Sequence, residues 1–240
     1  MRLNASISPR FLSGNLLKLV AAFSMLIDHM GVMFFPEHPI FRIIGRLSFP
    51  LYAFFIAEGC HYTKNRLRYF LQIFLLGVAC QTVYFFASGD THLNILLTLS
   101  CSVLMIYALQ TWKARKKFPY LLLFAAVVAG VYVLCQYIQL EYAFAGVMLP
   151  VLITLGDPPR GQEIGRRHHW LRVAFATVGL LLVSMDSATL QYYCLLVLPL
   201  LMLYSGKRGK GNYKYAFYLF YPLHLAVLQA MAWLLAYHAA

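Results

Sequence analysis

Apolar residues run through this chain in long blocks, separated by short breaks of charged and turn-forming residues. Residues 119–139, for instance, contain no Asp, Glu, Lys or Arg. Such runs lack the every-second-residue alternation of a strand, so they predict helices, and about 20 apolar residues cross ~30 Å of hydrocarbon. Nine spans follow: residues 15–35, 46–62, 67–87, 93–112, 119–139, 142–156, 170–186, 189–205 and 214–237. The second, sixth, seventh and eighth lie near the lower limit for crossing, which predicts tilted, broken or partly re-entrant segments. Asp28 and His29 interrupt the first block and no small-residue cleavage site follows, so it reads as a span rather than a removable signal. No internal repeat is visible. The pattern predicts one membrane domain over residues 1–240, an all-α polytopic transmembrane helical bundle of about nine spans, with eight and ten as bounds.

Composition strengthens this picture. The chain is 61% hydrophobic and 12% charged, against about 25% charged in a soluble domain, so it lacks the polar residues to cover a soluble globule. Its 15 Gly and 10 Pro give no collagen-like or low-complexity signature. A net charge of +12 would suggest nucleic acid in a soluble protein, but its placement gives it another meaning. Arg2, Arg10 and Lys18 fall at the N-terminus, and Lys64, Arg66 and Arg68 in the second loop. Lys113, Arg115, Lys116 and Lys117 follow on the same side, then Arg160, Arg166, Arg167 and Arg172, then Lys207, Arg208, Lys210 and Lys214. That side holds 18 of the 20 basic residues; the other has only Arg42 and Arg46, with Glu37, Asp90, Glu141 and Asp186. Basic loops stay in the cytoplasm, which predicts a multi-pass protein of the cell (inner) membrane with its N-terminus cytoplasmic and its C-terminus outside. No basic-aromatic surface remains for nucleic acid; membrane lipid is the expected surrounding. Cys60, Cys80, Cys101, Cys135 and Cys194 form no CxxC pair and read as small apolar-segment thiols, and no metal is expected.

Against this apolar background the ionisable groups inside spans stand out, because each is expensive there. Asp28 and His29 lie about two thirds of the way along the first span, and adjacent residues point ~100° apart on a helix, so each needs a partner on another helix. Arg42 and Arg46, spaced i, i+4 before the second span, would share one face; the simplest compensation pairs Asp28 with Arg46. Pro50 should free a carbonyl and bend that segment. Glu58 sits near the cytoplasmic end of the second span, within reach of Lys64 or Arg66, and His224 falls mid-membrane beside Tyr221 and Pro222. The Gly206-Lys207-Arg208-Gly209-Lys210-Gly211 loop suggests a phosphate nest, although Asn212 stands where a Walker motif requires Lys. His168 and His169 are adjacent rather than i, i+4 and read as part of a solvated positive loop.

Four stretches together resemble the TraX family, named for the conjugative-pilus protein that N-acetylates pilin: Leu26-Ile27-Asp28-His29-Met30-Gly31, Gly45-Arg46-Leu47-Ser48-Phe49-Pro50-Leu51, Tyr204-Ser205-Gly206-Lys207-Arg208-Gly209, and Tyr221-Pro222-Leu223-His224. The resemblance runs from the first span to the last, and the middle spans are generic. More distantly, the chain looks like membrane acyltransferases that move acetyl groups from cytosolic acetyl-CoA to acceptors across a membrane. The resemblance implies acetyl-CoA, or another acyl-CoA, as co-substrate; it does not carry pilin over as the acceptor.

Acyl transfer to an amine or hydroxyl needs a base, an oxyanion donor and a way to hold the thioester. The expected roles are His29 as base, Asp28 as stabiliser of local positive charge, Arg46 as oxyanion or acceptor contact and His224 as a second acid or base. Arg42, Glu58 and Tyr221 are candidate substrate contacts, and Lys207, Arg208 and Lys210 candidate contacts for the CoA phosphates. The acceptor (peptide, sugar, lipid or small amine) is left open. Two other readings stand beside this one. The same charges suit a proton-coupled transporter, or a noncatalytic assembly protein in which Asp28 and Arg46 form a structural pair.

Overall fold

A computed structural model describes residues 10–89, 91–185, 189–211 and 213–239; Arg2, Asp90, Asp186 and Asn212, with the Lys214 side chain, lie outside the described residues. The described residues fold into ten α-helices: α1 Gly14–Phe34, α2 Pro39–Gly45, α3 Ser48–Tyr62, α4 Arg66–Ser88, α5 Ile95–Arg115, α6 Phe118–Tyr137, α7 Ala143–Leu155, α8 Arg166–Met185, α9 Leu198–Met202 and α10 Lys214–Ala239. A 3-10 helix, Thr189–Val197, leads into α9. Among the described residues, seven helical segments are long and apolar enough to cross a membrane, and the sixth and eighth blocks form the shorter helices Ala143–Leu155 and Leu190–Met202. All nine apolar blocks are therefore helical segments of a polytopic bundle. The seventh, expected short, is lengthened to 20 residues because α8 begins at Arg166.

The second span starts earlier than expected, at Pro39, and is broken. Its two helices meet at Arg46 and Leu47, where the Leu47 N–H bonds Ile44 O over 3.2 Å. Pro50 explains the break: it has no N–H to give Arg46 O, so the regular ladder cannot run through this turn. Pro50 itself lies in the first turn of α3, where a missing N–H costs nothing further.

Two apolar cores share the central helices. One joins Leu17 and Met25 of α1, Phe54 of α3, Leu180 of α8 and Leu225 of α10; the other joins Cys60 of α3, Met105 of α5 and Val147 of α7. α5 is the most enclosed helix, whereas α6 buries only Val131 and turns apolar side chains such as Leu122 and Tyr132 outward. Such a surface suits lipid, not water. The five cysteines are free thiols.

α1 and α2 approach closely because two glycines face the neighbouring helix. A Cβ on Gly31 would overlap the Phe41 side chain, and one on Gly45 would overlap the Asp28 carboxyl. Overpacking of this kind costs about 1–3 kcal/mol. Gly45→Ala is therefore expected to lower the melting temperature of the purified protein, while Gly130→Ala, where nothing lies within 4 Å of the new atom, should leave it unchanged or raised; thermal unfolding of the two variants in one lipid or detergent measures the difference.

Candidate functional site

Two polar clusters occupy opposite ends of the bundle, with a cleft between them. The first gathers where α1, α2, α7 and α10 meet. Asp28 is held by Arg42, whose Nη1 donates to Oδ2 over 2.7 Å. Arg46, the partner expected from spacing, instead donates from Nη1 to the Tyr142 hydroxyl over 3.2 Å, and Tyr142 stacks on Phe49 at 4.2 Å between centroids. Arg46 caps α2 and its N–H still bonds Arg42 O over 3.1 Å, so the two side chains start from one face and reach different partners. Asp28 Oδ1 and Arg46 Nε are buried with no hydrogen-bond partner among the described residues.

His29 finds its partner on α10. Its Nδ1 lies 2.8 Å from His224 Nε2, and His224 Nδ1 lies 2.8 Å from Phe220 O. A carbonyl only accepts, so His224 Nδ1 carries a proton; in the neutral pair His224 Nε2 must then accept, and His29 Nδ1 must donate. The chain of bonds leaves a lone pair on His29 Nε2. The Tyr221 ring meets the His224 imidazole edge-on at 5.7 Å. Glu141, just ahead of α7, keeps an accessible face while protein crowds the rest of it. Loss of water there, reinforced by the Asp28 charge, pushes its carboxyl up to about 7, against the opposing Arg46.

The second cluster lies at the end carrying the basic loops, and its centre is Arg172. This residue was grouped with the loop charges, yet its side chain is only 1% exposed, because α8 carries it inward beneath Phe54, with the guanidinium 4.2 Å from the ring centroid. Arg172 Nε lies 3.1 Å from Asp157 Oδ1, and Nη1 lies 3.7 Å from Glu58 Oε2. Glu58 thus pairs with Arg172 rather than Lys64 or Arg66, and its Oε1 accepts the Tyr204 hydroxyl at 2.7 Å. His61 Nε2 donates to Gln162 O over 3.0 Å and Nδ1 lies 3.6 Å from Asp157 Oδ2. Burial holds the Asp157 carboxyl above its ordinary range, with Arg172 and His61 opposing. His168 and His169 are not solvated loop residues: His168 Nδ1 donates to Gly156 O over 2.9 Å and His169 is buried.

A cleft of about 620 Å³ runs from this end toward the histidine pair. Lys18, Glu58, Tyr204 and Arg208 line its outer part, and Met25, Leu99 and Tyr221 its inner part. Met25 precedes His29 by one turn, ~6 Å along the helix. Of the three expected phosphate contacts, only Arg208 lines this cleft. Lys207 O and Arg208 O accept the Gly14 and Asn15 N–H groups at 2.8 Å, and Lys210 O accepts from Asn15 Nδ2, so carbonyls of the glycine loop cap the start of α1. A second cavity of about 1110 Å³ opens at the same end and shares Tyr62 and Thr63 with the cleft.

Arg172, Asp157, His61 and Lys18 were not singled out in the sequence. The available signal was faint: an aspartate among basic loops, and basic residues placed several positions inside apolar blocks.

Truncating one member of a buried ion network strands the others, at about 3–5 kcal/mol. Arg172→Ala is expected to fall in that range by denaturant unfolding. Glu141 gives a pH effect of definite sign. Its folded pKa is raised, so between the ordinary carboxylate value and about 7 the folded chain keeps a proton that the unfolded chain has lost. Stability falls as pH rises through that window and levels off above it; melting temperatures across the window should lose this slope in Glu141→Gln.

Comparison with known proteins gives the family. The family model described as TraX protein matches residues 13–232. A probable fimbrial assembly protein FimC (serogroup H1) of Dichelobacter nodosus is 30% identical over 241 residues, covering 88% of this chain and 92% of that one. An uncharacterized protein, RP591, of Rickettsia prowazekii (strain Madrid E) is 37% identical over 95 residues, or 39% of this chain and 36% of its own. No solved structure matches. With the family's match running from the start of α1 into α10, across both polar clusters, this chain belongs to the TraX family of multi-pass membrane proteins.

Proposed function

We propose that this protein is a membrane acyltransferase that moves an acyl group, acetyl in the simplest case, from an acyl-CoA to an amine or hydroxyl acceptor. The observation that carries the reading is the bonded series His29, His224 and Phe220 O, which leaves His29 Nε2 as a base one turn beyond the inner end of the cleft. The positions of the basic loops favour donor entry from the cytoplasm and an acceptor nearer the opposite face. A thioester-bearing arm fits the cleft in kind, since it is elongated, mostly apolar and edged by Lys18, Arg208 and tyrosines.

The donor supplies an activated carbonyl. His29 Nε2 takes the proton from the acceptor as its nitrogen or oxygen bonds to that carbon. The carbon–sulfur bond breaks, and the proton passes from His29 to the departing sulfur, giving acylated acceptor and free thiol. His224 shares the positive charge through the 2.8 Å contact, and Phe220 O holds His224 in the accepting tautomer. Arg46 Nε, buried and unpartnered, is the donor for the carbonyl oxygen as it gains charge. Asp28 pairs with Arg42 through the 2.7 Å contact, so that neither charge stands alone beside the histidine pair.

The Dichelobacter nodosus relative is described as a probable fimbrial assembly protein. A role for this chain in pilus or fimbrial assembly fits the proposal, the acceptor then being an amine on a surface-destined peptide.

Turnover of acetyl-CoA by the purified protein in nanodiscs tests the reading, with membrane extracts supplying the acceptor. His29→Ala should lower kcat by about 10²-fold or more, and His224→Ala by a smaller factor. Full activity in His29→Ala overturns the assignment of the base. Ion flux in proteoliposomes that depends on Asp28 and consumes no acyl-CoA would overturn the reaction class in favour of transport.

A further inference from the structure

The larger cavity at the basic end plays no part in the chemistry assigned to the histidine pair. Lys64, Arg66, Lys113, Lys116 and Arg160 line it, against Asp157 and Glu163. Asp157 is already committed to Arg172 and His61, which leaves five cations facing one carboxylate. Arg66 and Arg160 are close enough to repel each other. Both arginines donate to neutral groups: Arg66 to Gln110 Oε1 and Thr111 Oγ1, and Arg160 to Thr63 O. Arg66 Nε is buried with no hydrogen-bond partner among the described residues. Lys113 likewise reaches only carbonyls, those of Thr154 and Leu155. Positive groups held together by neutral acceptors at a cavity wall are the arrangement that a multiply charged anion completes.

We propose that this cavity binds the phosphate groups of a nucleotide bisphosphate, with Arg66 and Arg160 as its principal ligands and Lys64, Lys113 and Lys116 around them. Resting on the acyltransferase reading, the proposal assigns the cavity to the phosphate-bearing end of the acyl-CoA, with the arm turning past Tyr62 and Thr63 into the cleft. Two observations support that division. The two cavities share those residues, and Arg172 joins Glu58, which lines the cleft, to Asp157, which lines the cavity. A phosphate group could also come from an anionic lipid at this depth, so the test separates the two sources.

The probe is adenosine 3′,5′-bisphosphate, which carries phosphates but no thioester, titrated calorimetrically into the protein in phosphatidylcholine nanodiscs. Saturable binding is expected, weakened at least tenfold in Arg66→Ala and in Arg160→Glu, and changed less than twofold in Lys117→Ala, a basic residue outside the cavity. Melting temperatures without ligand check that each variant is folded; if Arg66→Ala fails to fold, the exposed Arg160→Glu carries the test. No nucleotide binding in phosphatidylcholine, or binding insensitive to both arginines, overturns the proposal. So does nucleotide-independent enrichment of phosphatidylglycerol at the site, which would make it a lipid headgroup site. The two readings fail separately. Arginine-dependent binding with no acyl turnover sinks the acyltransferase and keeps a nucleotide site, whereas His29-dependent turnover with arginine-insensitive binding does the reverse.

Discussion

Arg172 sets the terms for the basic end of the bundle. A guanidinium that is almost fully enclosed in an apolar helix assembly has no water to solvate it, and it persists only because two carboxylates and an aromatic face meet it. Those partners come from different parts of the chain. Glu58 is near the end of α3, Asp157 follows α7, and Phe54 lies on α3. Satisfying one cation therefore fixes how α3, α7 and α8 stand relative to one another, and with them the walls of both cavities. Tyr204 extends the same network to the loop that caps α1.

At the opposite end, close backbone approach has the corresponding effect. Gly31 and Gly45 let α1 and α2 come near enough for Arg42 to reach Asp28, while Arg46, at the end of α2, reaches Tyr142. With Asp28 neutralised by Arg42, the adjacent His29 points elsewhere, as neighbours on a helix must, and meets His224. The residues that carry the family resemblance thus divide into two kinds. Asp28, His29, Arg46 and His224 make polar contacts, while Gly31, Gly45, Phe49 and Pro50 shape the backbone and packing that allow them.

The two ends are complementary. One presents surplus positive charge at a wide cavity; the other holds a hydrogen-bonded imidazole pair with little solvent. A cleft edged by tyrosines runs from the first toward the second. Under the proposed acyl transfer, charge recognition and proton transfer would occupy separate places in the membrane.

Much of this was legible along the chain itself. The nine apolar blocks correspond to nine helical segments because hydrocarbon forces each stretch to satisfy its own backbone hydrogen bonds, and that constraint acts locally. Asp28, His29, Arg46 and His224 stood out for a similar reason: an ionisable group in an apolar run is anomalous whatever surrounds it. Partnership was not legible. Spacing favoured Arg46 for Asp28 and Lys64 or Arg66 for Glu58, and both expectations failed because the partners were set by a broken helix and by residues more than a hundred positions away. Arg172, counted with the loops, proved to be the most enclosed charge in the molecule. The order of residues determines where a chain must be helical and which groups cannot remain alone in lipid. Only the packing of helices decides which of those groups meet, because electrostatic compensation depends on distance in space rather than on separation in sequence.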